Sequence, residues 1–263
     1  VEELKNLYRY RQLIAALTAR DLKARYRGSI LGFFWSLANP LLLLGIYTLA
    51  FTKFFPSQVV RPYPLFLFTG ILPWTFFAAA VLESTSSISA NAALIKKVMF
   101  PAEALPLVVV FSHLVHFALA IPILLLALAI YVLLGQASIS ITILLVPVLM
   151  VFQTVFVAGV AMVISSAAVL LRDLRDIVAN LMTLGFFLTP IIYLIDRVDS
   201  RLWRALLRLN PMTPFVVAYQ DVIFFGHLPG AADTFLIVAY SLVALGCGVV
   251  TFDRLRDTLA EAI

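Results

Sequence analysis

Charge is scarce in this sequence. Of its 263 residues only 13% are Asp, Glu, Lys or Arg, and 63% are hydrophobic. Soluble domains carry nearer a quarter charged residues, and a chain this apolar has too little polar surface to cover a globule in water. Lipid is therefore the solvent for most of it. Cysteine is nearly absent: Cys247 is alone, which excludes an internal disulfide. Phosphate-cradling motifs are missing altogether, with no G-x-x-x-x-G-K-[ST] and no G-x-G-x-x-G, so the chain has no standard means of binding a nucleotide. No H-E-x-x-H, C-x-x-C or G-x-S-x-G occurs either, and no catalytic residue is assigned. A cleavable signal peptide is not expected, because the first apolar run starts late and lacks a small-residue cleavage site.

What is present is organised around residues 20–55. Arg20, Lys23, Arg25 and Arg27 precede a stretch, Gly28 to Thr52, without one charged residue. That run exceeds the ~20 residues a helix needs to cross a ~30 Å hydrocarbon core. A basic flank stays on the cytoplasmic side, which puts the N-terminus inside. The formal charge of +5 points to headgroups and topology rather than nucleic acid, since the cations collect beside apolar runs.

The expected fold is an all-α membrane protein with one transmembrane domain, residues 1–263. Residues 1–27 alternate apolar and basic positions as a helix lying in the interface plane does; an ordinary solvated helix is the competing reading. Spans 1–5 occupy 30–195, at about 30–55, 65–88, 103–134, 139–171 and 177–195. Pro40 should kink span 1, and Pro73-Trp74 should mark a bend and an interfacial ring in span 2. The end of span 2 is polar (Glu83, Ser84, Thr85, Ser86, Ser87) and should face protein or water. Span 4 would be ~50 Å long at 1.5 Å per residue, so it should tilt or project. Residues 196–229 hold two apolar pieces too short to cross, separated by Asn210-Pro211 and Thr213-Pro214, and read as a short re-entrant hairpin. Span 6 is 231–252, and 253–263 is a cytoplasmic tail. Six crossings put both ends inside, and the distribution of Lys and Arg favours that orientation.

His113 and His116, spaced i, i+3, share a helix face. Metal binding needs further ligands and none is evident, so paired polar packing is the better reading and no metal site is assigned. Ion-coupled carriers keep carboxylates near the midplane. Here Glu83, Glu103, Asp173 and Asp176 fall near inner span ends and Asp221 in the hairpin, which argues against a proton relay. Aromatics remain: Phe33, Phe34, Trp35, Tyr47 and Phe51 in span 1 and Trp74 in span 2. Such rings suit a path for sugars, which stack on ring faces; lipid contact or packing is the alternative.

One ordered set of residues spans nearly the whole chain: a basic interfacial helix, Tyr26-Arg-Gly-Ser-Ile-Leu-Gly-Phe-Phe-Trp35, Asn39-Pro40, Gly70-x-x-Pro73-Trp74, Arg172-Asp173, Leu188-Thr-Pro-Ile-Ile-Tyr193 and Leu209-Asn-Pro211. It resembles the membrane subunit of ABC-type polysaccharide exporters, the O-antigen and teichoic-acid group of type-2 ABC exporter permeases. The resemblance implies a homodimer in the cytoplasmic (inner) membrane, bound to two separate ATPase subunits that hold ATP and Mg, and moving a lipid-linked glycan outward. It implies that the N-terminal helix, through Arg20 and Asp21, and the connection 91–101, through Lys96, Lys97 and Phe100, touch the ATPase. Arg172 to Asp176 is a further contact. It also places the pore between the two copies of spans 1 and 5. On charge, Arg25 and Arg27 are candidates to capture the carrier's diphosphate; topology and surface anchoring compete with that role. The alternatives are a type-2 ABC permease for teichoic acid, a drug or another lipid, an ion-coupled secondary carrier, and a membrane enzyme acting on lipid-linked sugar.

Overall fold

The computed structural model describes residues 10–27, 34–50, 53, 60–92, 101–171 and 173–262. Those residues form α1 (Arg11–Tyr26), α2 (Phe34–Leu49), α3 (Tyr63–Ser87), α4 (Ala104–Leu133), α5 (Val146–Leu170), α6 (Leu174–Leu188), α7 (Arg201–Leu209), α8 (Met212–Tyr219) and α9 (Ala231–Ala262). Regular structure among them is helical throughout. Among the described residues four helices are long and apolar enough to cross a membrane: α3, α4, α5 with the 3-10 turn before it, and α9.

The hub is α3. Most of it is buried inside the chain, whereas α4, α5 and α9 keep most of their surface outward. Its start is set by Pro62, extended at the N-cap, and Pro64 in the first turn, where a missing N–H costs nothing. Its polar end does face protein: Ser84, Thr85 and Ser87 are buried. Their hydroxyls donate to the carbonyls of Ala80 (2.7 Å), Leu82 (2.6 Å) and Ser84 (2.9 Å). Trp74 is not an interfacial ring. It lies midway along α3, 7% exposed, because the surrounding helices leave it no route to a headgroup layer.

Other boundaries also moved. Residues 177–195 are not one helix. α6 starts earlier and stops at Leu188, because Thr189 precedes Pro190 and is held extended (φ −94°, ψ 137°). Fifteen residues at 1.5 Å each reach about 22 Å, short of the ~30 Å core. Residues 139–171, expected as one long helix, hold a 3-10 turn, Ile141–Leu145, and then α5, which ends at Leu170. Residues 253–262, expected as a tail, continue α9. The segment between α6 and α9 holds two short helices as expected, but unlike ones. α7 buries none of its residues, while α8 and the π-helical turn Gln220–Phe225 that follows it are largely core.

At the crossing of α5 and α9 the two backbones touch. A Cβ on Gly159 would overlap the backbone of Ala244, and one on Gly248 would sit 2.7 Å from the Gly159 carbonyl oxygen. Small residues at such a crossing let two backbones touch, which is how helices associate where lipid removes the hydrophobic drive. Ser241 donates towards the Phe152 carbonyl across the same seam (2.9 Å). Gln153, fully buried on α5, donates to the Pro73 carbonyl on α3 (2.8 Å).

Candidate functional site

Two polar clusters lie at opposite ends of this bundle. The first ties α1 to α3 and α4. Arg25 lies one helical turn beyond Asp21, and its Nε donates to Asp21 Oδ2 at 2.8 Å. One terminal nitrogen donates to Glu83 Oε2 at 2.9 Å, and the other contacts Glu83 Oε1. His113 Nε2 sits 2.8 Å from Glu83 Oε2. His116 stands edge-on to His113, ring centroids 5.8 Å apart and planes at 87°. Glu83 thus serves a forked guanidinium and an imidazole together, a geometry that fixes orientation as well as charge. Burial alone would weaken the charge on Arg25, but the hydrogen bonds and charges of Glu83 and Asp21 outweigh it, and its pKa is raised. Among the described residues no three His, Cys, Asp or Glu converge to hold a metal. His113 pairs with Glu83 and packs edge-on against His116.

The candidates named from sequence divide as follows. Arg20 and Arg27 are exposed on or beside α1, and Asp21 is engaged by Arg25. Lys96, Lys97, Phe100 and Arg172, and the aromatics Phe33 and Phe51, lie outside the described residues. Trp35 and Tyr47 belong to α2, and their side chains lie outside the described residues as well. Phe34 is 69% exposed. Trp74 packs on Phe77 (centroids 5.6 Å) and Phe186 (6.2 Å) and covers Gly185, where a Cβ would come within 2.8 Å of its ring. Within one copy Trp74 therefore faces protein, and it joins α3 to α6.

The second cluster was not anticipated from sequence, although both of its motifs had been singled out there. Thr189 donates to Gly185 (2.7 Å) and accepts from Asn210 Nδ2 (2.8 Å). Asn210 Oδ1 accepts from the Met212 N–H (3.0 Å), and Thr213 donates to the Leu207 carbonyl (2.7 Å). Gln220, buried, donates to the Pro190 carbonyl (2.9 Å), and Tyr63 donates to the Ile192 carbonyl (3.0 Å). The Thr-Pro-Ile-Ile-Tyr and Asn-Pro motifs are two halves of one joint holding the α7–α8 hairpin to the end of α6. Spacing could not reveal it, because the halves are 21 residues apart.

Beside the joint, Asp221 Oδ1 is 3.6 Å from His227 Nε2, and Arg208 Nε is 3.8 Å from the buried Asp233. Burial pushes the Asp221 carboxyl up to about 6, His227 opposes this, and the charges of Asp233 and Asp196 add to it. On α7, Arg201, Arg204 and Arg208 share one face. Leu202, Trp203, Leu206 and Leu209 lie exposed on the other, as on a helix at a membrane interface.

The described residues form a bundle with a charged anchor at one end and a hydrogen-bonded joint at the other. A family model described as ABC-2 type transporter matches residues 12–224. The chain is similar to the O-antigen export system permease protein RfbA of Myxococcus xanthus, 38% identical over 261 residues, which cover 99% of this chain and 98% of that protein. A protein of the same description from Klebsiella pneumoniae is 31% identical over 252 residues, 95% of each chain. The polysialic acid transport protein KpsM of Escherichia coli is 21% identical over 250 residues, 93% of each.

Proposed function

This chain belongs to the ABC-2 type transporter family, and we propose that its cargo is a lipid-linked, O-antigen-like polysaccharide. It is a multi-pass membrane protein and the transmembrane permease of an ATP-driven exporter. ATP hydrolysis belongs to a separate subunit in this family, and the membrane subunit needs no cofactor. The observation that carries the cargo assignment is the near-complete alignment with O-antigen export permeases at 31–38% identity.

The finer reading has six membrane segments, the shorter helices α2 and α6 included, with both termini in the cytoplasm and the α7–α8 hairpin re-entrant on the outer face. Two copies pair, and two ATPases dock on the cytoplasmic side. Support for pairing comes from α6. Ile177, Leu181, Leu184 and Leu188 form an exposed apolar stripe, yet Asn180 and Thr183 are exposed on the same helix. Polar groups in a membrane helix face protein or a water-filled path rather than lipid. A second copy meeting α2 and α6 accounts for both, and aromatics such as Phe34, Trp35 and Tyr47 then border the path between copies.

Coupling follows from the charged anchor. α1, presenting Arg20 and Asp21 to the ATPase together with Lys96, Lys97 and Phe100, is pinned to α3 and α4 through Arg25 and Glu83. A displacement of α1 therefore pulls on the hub helix rather than sliding over it. Arg27 is exposed and able to meet a diphosphate directly. Arg25, held by two carboxylates, can join only by exchanging one of them for phosphate.

The direct test is export of a defined undecaprenyl-diphosphate glycan by the chain reconstituted with its ATPase. ATP-dependent appearance of glycan on the far side is expected. Transport of another lipid or a drug in its place, or transport by the chain alone down an ion gradient, would overturn the proposal.

A further inference from the structure

Between α1 and α4 runs a groove of about 770 Å³. Its walls are Ala15, Thr18 and Leu22 on one side and Leu107, Phe111 and Val115 on the other, with Arg11 at its rim. On α4 its wall runs from Leu107 to Val115, eight steps or about 12 Å at 1.5 Å each. His113, in the charged anchor, falls inside that interval. The groove therefore straddles the level at which charged side chains give way to hydrocarbon.

Two independent observations say what fits it. The first is Thr18, which is 8% exposed, lines the groove, and has a hydroxyl with no hydrogen-bond partner. Thr75, Ser84, Thr154 and Ser166 all donate back to the carbonyl four residues earlier. Thr18 does not, so a donor buried in the groove wall is left unsatisfied, which is costly. The second is charge. α1 carries Arg11, Arg20, Lys23 and Arg25 against one acid, Asp21, which Arg25 already engages. An occupant that is apolar for most of its length, offers an acceptor oxygen near Thr18 and ends in an anion matches both observations and the apolar walls.

We propose that the groove holds one acyl chain of an anionic phospholipid from the leaflet at the α1 end. The chain lies along Leu107–Val115, an ester carbonyl accepts from Thr18, and the phosphate meets the basic edge of α1. Such a lipid wedges α1 against α4 and completes the seat of the charged anchor. The inference needs only the membrane assignment and stands whatever the exported cargo is.

The test uses the full chain, purified in detergent, exposed to equal dioleoyl phosphatidylglycerol and dioleoyl phosphatidylcholine, and examined by native mass spectrometry. About one phosphatidylglycerol per chain is expected to survive, in preference to phosphatidylcholine. Ala15→Phe, which fills the groove, should reduce retention to background, while Leu133→Phe at the far end of α4 should leave it unchanged. Thr18→Val keeps the shape and removes the donor, so affinity should fall roughly 2- to 10-fold, the worth of one neutral hydrogen bond. Equal retention of the two lipids, undiminished retention by Ala15→Phe or Thr18→Val, or retention of undecaprenyl phosphate in place of phospholipid each overturns the proposal.

Discussion

Glu83 illustrates how much one side chain can organise in a low-dielectric setting. Removing it leaves Arg25 with one carboxylate and His113 without its acceptor, so Glu83→Ala and Arg25→Ala should each lower thermal stability in detergent. The side chains are only partly buried (25% exposure for Arg25, 36% for Glu83), so the coupling between them is about 1–2 kcal/mol rather than the larger values of fully buried pairs. A double-mutant cycle measures it, and additive losses would mean that the pair is not coupled. Asp221 gives a pH dependence of definite sign. Its carboxyl titrates near 6 in the fold and near 3.9 when unfolded. The fold thus prefers the protonated form, and the contribution is complete below pH ~4 and lost as pH rises through 6. Asp221→Asn should therefore gain melting temperature relative to the parent between pH 4 and 6. A constant difference across that range would contradict the assignment.

At the scale of elements, the α5–α9 seam sets what the bundle tolerates. Gly159→Leu and Gly248→Leu place atoms where backbone already lies, and both should abolish folded yield, as read by size-exclusion chromatography. Gly246, two residues from Gly248 but with nothing within 4 Å of a Cβ, should accept Leu with little change. Failure of all three alike would point to general helix disruption instead of the crossing. Hairpin geometry adds a second constraint. Gly226 takes φ +73° and closes the π-helical turn at Phe225, and a Cβ there would also meet Ser140 at 3.0 Å.

For the whole molecule the decisive question is what covers α6. If two copies meet there, Leu184→Cys, with Cys247 replaced by Ser, should cross-link between chains under mild oxidation. Leu133→Cys on the outward face of α4 should not. Cross-linking at Leu133 alone would move the interface. Coupling to the motor is tested by replacing Lys96, Lys97 and Phe100 together, which should reduce cargo-stimulated ATP hydrolysis while leaving insertion intact. Retained hydrolysis would place the contact elsewhere on the chain.

Composition and order determined much of this protein. A shortage of charge dictates lipid as solvent, long uncharged runs become α3, α4, α5 and α9, and the sequence holds no phosphate loop, as in a family whose ATPase is a separate subunit. These are legible because burying charge or unpaired backbone in hydrocarbon is so costly that the exclusion appears in the residues themselves. Tertiary structure alone decided which polar residues meet: Arg25 with Glu83 across 58 positions, Thr189 with Asn210, and Gln153 with Pro73. It also turned Trp74 inward. Hydrogen bonds and ring contacts of that kind depend on how helices are rotated and how deeply they sit, and a helical repeat identifies a face without identifying its neighbour.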